Sequence, residues 1–266
     1  MPLDRRRARQ AFAAYAARYD ADDPKVKLKI DHTYRVAALC ERIAASLDLP
    51  PAERDLAWLC GLLHDIGRFE QLRRYGTFND AQSIDHAAMS ARVLFDEGHI
   101  AEYLDDRTQD EMLRTAVAWH SAYRLPDGLD ARTLQFCQIL RDADKVDILR
   151  VNVETPMEEI YNVSTEALQQ SPVSPAVLQA FYEHHCVLRS LKQYPADNVV
   201  GHASLVFELC YPESLRAVAE QGWLWKLLDR PFTDPDTARA MDALRAGLQP
   251  AQRRAAARRR HHHFGF

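Results

Sequence analysis

Nearly every periodic segment of this chain carries its apolar residues at helical spacing, which predicts an all-α fold. An Ala-rich first helix is expected over about residues 5–18. Val36, Leu39 and Ile43 mark the buried stripe of the next helix. Pro51, suited to a first helical position, opens the run that reaches Leu63, and Gly67 is read as closing it. A further helix is expected to be capped by Ser83 or Asp80 and to end at Gly98, and Leu113, Ala116 and Val117 mark another. Beyond Arg150 the spacing loosens. Val151 to Pro175 holds Pro156, Pro172 and Pro175 among Ser and Thr and reads as an excursion over the surface. Helical spacing then resumes over residues 177–194, 202–210, 213–228 and 234–248, with Pro212, Pro231 and Pro235 as punctuation.

Several of these apolar stripes contain a residue that does not belong in a core. His32 precedes Val36, Leu39 and Ile43 at offsets of 4, 7 and 11, so it shares their inward face. The pair His64-Asp65 ends the apolar run that begins near Leu56. His86 leads Met89, Ser90 and Val93, and His120 follows Leu113, Ala116 and Val117. Asp144 lies between Leu140 and Ile148, four residues from each, where an unpaired carboxylate is expensive to desolvate. One histidine on an apolar face is usually a satisfied core residue. Four of them with two aspartates are a large polar load for one core, and a metal centre uses that nitrogen and oxygen donor set. His99, His184, His185, His202 and His261 to His263 lack this setting and read as structural or solvent-facing.

The order His, His-Asp, Asp, carried by Asp31-His32-Thr33-Tyr34-Arg35-Val36, by Leu62-Leu63-His64-Asp65-Ile66-Gly67-Arg68-Phe69 and by Arg141-Asp142-Ala143-Asp144-Lys145-Val146-Asp147, resembles the HD-domain superfamily of metal-dependent phosphohydrolases. The resemblance covers about residues 25–150. It implies an HD-domain helical bundle, here with additional C-terminal helices over 176–248, and hence a single domain over 1–250. With His86 and His120 between the core ligands, the chain is similar to the six-ligand, two-metal members. That likeness implies that His32, His64, Asp65 and Asp144 bind one divalent ion, and that His86 and His120 bind the second with Asp65 bridging. Iron or manganese suits such an imidazole-rich set, with zinc, cobalt or nickel as alternatives. The implied activity is hydrolysis of a phosphomonoester or phosphodiester, of a nucleotide or cyclic nucleotide, by a water that the ions activate. The runner-up is a mixed-valent di-iron oxygenase acting on a polyol or organophosphonate, since some members of the superfamily use the same ligand order for oxygen chemistry. A noncatalytic signalling module ranks below both.

A phosphorylated small molecule needs cationic side chains beside the metals. Arg68 and Lys145 are the candidates, one as a planar fork and the other as a point charge. Lys27 and Lys29 read instead as a solvated helix start, and Asp85, Asp142 and Asp147 as partners of ligands or structural residues. The stretch Arg73 to Asp80 reads as a loop at the substrate mouth. Tyr211, Trp223 and Trp225 read as core or as the interface of a homodimer before a base-stacking platform.

Composition narrows the setting. With 266 residues and 47 % hydrophobic content the chain can bury a full core, and a net charge of -4 gives no reason to expect nucleic-acid polymers or membranes as partners. Residues 251–266 form a basic, low-complexity tail expected to fray. Five widely spaced cysteines fit free thiols in the cytoplasm, and neither a signal peptide nor a membrane span is legible.

Overall fold

The computed structural model describes residues 2–156, 159 and 162–258, with side chains up to 248, and the regular elements among them are all helical. His261 to His263, and with them the end of the expected tail, lie outside the described residues. The chain forms two compact units, Met1–Asp144 and Lys145–Phe266.

The first unit comprises α1 (Arg5–Ala16), α2 (Pro24–Ser46), α3 (Pro51–Leu63), α4 (Gly67–Tyr75), α5 (His86–Ala91), α6 (Asp110–Trp119) and the start of α7 (Ala131–Glu154). Asp23 starts α2 by accepting from the Lys25 amide, with Pro24 set in the first turn. Val36, Leu39 and Ile43 are buried, as the stripe predicts. Helices α2 and α3 pack closely at Gly61, where an added Cβ would lie 2.6 Å from Ala37 Cα.

Gly67 departs from expectation. It opens α4 instead of closing a helix, and its backbone is not left-handed. Its role is close approach: a Cβ there would lie 2.5 Å from the Ser90 amide nitrogen and 2.9 Å from the His86 carbonyl oxygen, so only glycine lets α4 approach α5 this closely. Gly76, with φ of 67°, supplies the left-handed cap that ends α4. The stretch read as a loop from Arg73 is therefore helical up to Tyr75. Asp85 caps α5 through the Ala87 and Ala88 amides, Asp80 Oδ2 accepts from the His86 amide at 3.2 Å, and Ser83 takes no part. A π-helical turn over Arg92–Asp96 carries the chain on to Gly98.

The second unit holds the rest of α7, then α8 (Thr165–Gln169), α9 (Pro175–Tyr182), α10 (Pro195–Ser204), α11 (Pro212–Gln221), α12 (Trp223–Leu228) and α13 (Pro235–Arg258). Helix α7 runs through Glu154 because Arg150 pairs with both Asp147 and Glu154 along it. The segment before Pro175 is not a surface excursion throughout. Ser171 and Ser174 are buried and hold the start of α10, Ser171 Oγ accepting from the Ala196 amide and Ser174 donating from both N–H and O–H to Asp197. Helix α9 stops at Tyr182, before the left-handed His184. His202 lies inside α10, which begins at Pro195, and not in a turn. Gly222, with φ of 73°, divides the expected 213–228 helix into α11 and α12, and α13 continues past Leu248 to Arg258. Cys40, Cys60 and Cys137 are buried, Cys186 is half-buried and Cys210 is exposed. Among the described residues no helix is long and apolar enough to cross a membrane.

Candidate metal centre

Four imidazoles and two carboxylates meet inside the first unit. His32 comes from α2, His64 is the residue that ends α3 with Asp65 next to it, His86 begins α5, His120 ends α6 and Asp144 lies on α7. Each is 8 % exposed or less. His32 Nε2 and His64 Nε2 are 3.3 Å apart, and Asp144 Oδ1 is 3.0 Å from the first and 3.4 Å from the second. Asp65 Oδ2 stands 3.5 Å from each of these nitrogens. Its other oxygen, Oδ1, is 3.6 Å from His86 Nε2 and 3.4 Å from His120 Nε2, which are themselves 3.1 Å apart. Asp65 thus presents one oxygen to each pair of rings.

These spacings test whether the residues suit a metal. Donors about 2.1 Å from one ion stand ~3.0 Å apart on an octahedron and ~3.4 Å on a tetrahedron. The observed 3.0–3.6 Å spans that range and exceeds it only slightly on both sides of Asp65, so the donor set fits.

The rings are held in the tautomer that coordination needs. His64 Nδ1 donates to the Gly61 carbonyl at 2.6 Å, His120 Nδ1 to the Val117 carbonyl at 2.7 Å, and His86 Nδ1 to Asp80 Oδ2 at 2.6 Å. In each case the Nε2 lone pair is left facing the cluster. Arg141 fixes the end of α6 by donating to the carbonyls of Trp119 at 2.9 Å and Ala122 at 2.5 Å.

Electrostatics favour ionised carboxylates and a neutral His86 ring. Burial raises the Asp65 pKa, but Lys29, His64, His120 and Arg68 outweigh it and hold the group well below the usual carboxylate range. Burial likewise opposes ionisation of Asp144, and His32 and His64 reverse it. Burial and the Arg68 charge push His86 down to about 4 despite Asp80, so its ring is neutral at pH 7. Asp80 is itself held low, its burial outweighed by His86 and Arg68.

The nearby cations only partly follow the sequence reading. Lys27 is exposed, but Lys29 is not a solvated helix residue: its ammonium is 3.0 Å from Asp65 Oδ2 and its side chain is 12 % exposed. Arg68 Nη1 donates to Gln71 Oε1, the Phe78 carbonyl and Asp80 Oδ1. Its Nε is buried without a hydrogen-bond partner, 3.9 Å from Asp65 Oδ1. Phe78 lies beneath both cations, 5.1 Å from Lys29 Nζ and 5.6 Å from Arg68 Cζ. Lys145 follows Asp144 in α7, belongs to the second unit, and acts electrostatically on Cys186 there. Asp85 is the cap of α5, Asp147 pairs with Arg150, and Asp142 is fully buried. Sequence reasoning missed Asp80 and Arg141 as holders of His86 and of the α6 end. An acidic residue six positions before a candidate ligand was the one available signal for the first.

Residues 30–149 match the family model described as HD domain. The match contains all six converging residues, so this part of the chain is similar to the HD domain, a family generally of metal-dependent hydrolases. Comparison with curated proteins and with solved structures found no significant match.

Proposed function

We propose that this protein is a metal-dependent phosphohydrolase, with one divalent transition-metal ion held by His32, His64, Asp65 and Asp144 and a second by His86, His120 and the other oxygen of Asp65. The observation that carries this reading is the division of the two Asp65 oxygens between the two pairs of imidazoles. Bound ions of this kind lower the pKa of a water and neutralise charge on a phosphoryl group. Iron or manganese is our assignment, with zinc, cobalt or nickel as alternatives, because four imidazoles are more than a magnesium site uses.

The protein's own groups have distinct tasks in this scheme. Lys29 and Arg68 keep Asp65 ionised from opposite oxygens. Asp80 fixes the His86 ring, and Arg68 grips Asp80 and the Phe78 carbonyl. The unpartnered Arg68 Nε is a donor for a nonbridging phosphate oxygen at the cluster, and the Phe78 to Asp80 stretch borders the substrate mouth. Lys145 is assigned a substrate contact from its place after Asp144. The assignment of a nucleotide or cyclic nucleotide phosphoester rests on the family resemblance.

Purified protein should contain close to two transition-metal ions per chain by elemental analysis and should release phosphate or open a phosphodiester without oxygen. Protein that neither retains nor takes up metal would refute the reading. Oxygen consumed in proportion to product, with no phosphoester cleaved, would replace it by the oxygenase.

A further inference from the structure

The second unit contains an ammonium that the ligand cluster does not explain. Lys192 lies in the turn before α10, and its side chain passes over Gly201. A Cβ at Gly201 would be 2.5 Å from Lys192 Cε and 2.7 Å from Nζ, so the bare backbone of α10 is the floor on which this side chain rests. Among the described residues the ammonium has no hydrogen-bond or ion-pair partner. Asp197 is the acid that acts on it, and its oxygens already accept from the Ser174 amide and hydroxyl and from the Gln193 and Tyr194 amides at 2.7–3.0 Å.

The other charges around Lys192 are mostly of its own sign. Arg189 acts on Lys192, Lys192 and Arg230 act on His202 beside Gly201, and Lys145 joins Lys192 in acting on Cys186. Glu208 is the acid that acts on Cys186. Burial and the Arg189 charge lower the Lys192 pKa, and burial with Lys192 and Arg230 pushes His202 down to about 3. A half-buried ammonium among like charges is unfavourable until a counter-charge arrives.

We propose that the Lys192 and Gly201 platform of the second unit, with Arg189, His202 and Arg230 around it, is a binding site for a small oxyanion of the phosphate type. The anion supplies the missing counter-charge, and the lysine meets it as a point charge. The proposal does not depend on the reading of the ligand cluster in the first unit.

Inorganic phosphate is the probe, titrated into the full chain by calorimetry and by thermal melting. Wild type should bind it and melt at a higher temperature in its presence. Lys192→Met should bind about 10-fold more weakly or worse, the equivalent of one charge-assisted hydrogen bond. Its melting temperature without phosphate should exceed that of wild type, since a half-buried ammonium among like charges has been removed. Gly201→Ala meets only the flexible end of Lys192, so it should fold, displace the ammonium and lose phosphate binding as well. Asp65→Ala should retain phosphate binding, which separates this site from the ligand cluster. The proposal is overturned if wild type fails to bind at 10 mM phosphate, at about the weakest affinity worth assigning. It is equally overturned if Lys192→Met binds as wild type does or is less stable without phosphate, or if Asp65→Ala alone abolishes binding.

Discussion

The two halves of the ligand cluster are built differently. His32, His64 and Asp144 stand on or directly after α2, α3 and α7, helices of 23, 13 and 24 residues, and the first two of these pack with backbone nearly touching at Gly61. His86 begins a helix of 6 residues that passes into a π-helical turn, and its ring is steered by Asp80, from a short 3-10 turn. One half is positioned by helix packing. The other hangs on a side-chain relay from Arg68 through Asp80 to His86. Asp65 is the carboxylate placed between both halves, so on the proposed two-ion reading the halves should respond separately to every substitution that spares it.

The largest effect should come from removing that common ligand. Asp65→Ala is expected to lose both ions by elemental analysis, whereas His86→Ala and His120→Ala should each retain the ion on the His32 side. Loss of one ion in all three variants would break the comparison. Next, Gly61→Ala should strike the packed half through the fold itself. Its Cβ would meet Ala37 Cα at 2.6 Å and the Ala37 nitrogen at 2.7 Å, backbone atoms with no rotamer to change. A destabilisation near the top of the ~1–3 kcal/mol overpacking range is expected, read as a lower Tm. A Tm equal to that of wild type would show that α2 and α3 can part freely.

Asp80→Ala should act on the other half alone. Losing the Nδ1 partner of a ligand imidazole typically weakens a metal about 10- to 100-fold, and here the loss should fall on the His86 and His120 ion, measured by competition with a chelator. Equal weakening of both ions would contradict the relay. The smallest effect is a pH dependence. The folded-state pKa of His86, about 4, lies below its ordinary 6.5, so the unfolded chain takes up the proton first. The stability this ring contributes is complete above pH 6.5 and is lost as pH falls toward 4. Asp65 and Asp144, held below the ordinary 3.8, keep their contributions until the pH falls below that value. Tm measured from pH 7 to 4 should therefore fall less steeply in His86→Gln than in wild type, with the remaining decline from His202, which is also held low. Identical slopes would remove His86 from this account.

The same contrast explains what could be read from sequence. The convergence of His32, His64, His86, His120 and Asp144 was legible because each shares a stripe with residues that do become core, such as Val36, Val93, Val117 and Leu140. The all-α class followed from the same periodicity. Asp80, Arg141 and Lys29 were not legible in their roles, because each depends on where a polar group meets a distant backbone or ring. Gly67 was misread as a stop because a helix end and a close approach both call for glycine, and only the nearness of Ser90 decides between them. In the second unit Pro212 and Pro235, read as punctuation, do open helices, whereas the starts at Pro175, placed in the excursion, and at Pro195 went unread, and the ends depended on left-handed residues such as His184 and Gly222, whose dihedrals periodicity does not encode.

Helices α3 and α6 both stop at a ligand, with His64 and His120 in the terminal position. Each therefore aims its carboxyl end at the cluster, and a helix end of this kind carries roughly half a negative elementary charge. The α3 end adds to the carboxylates of Asp65 and Asp144, while Arg141 offsets that of α6, so the pocket disfavours anions until cations have entered it. On the proposed reading, this field sets an order of entry: metal first, phosphate second.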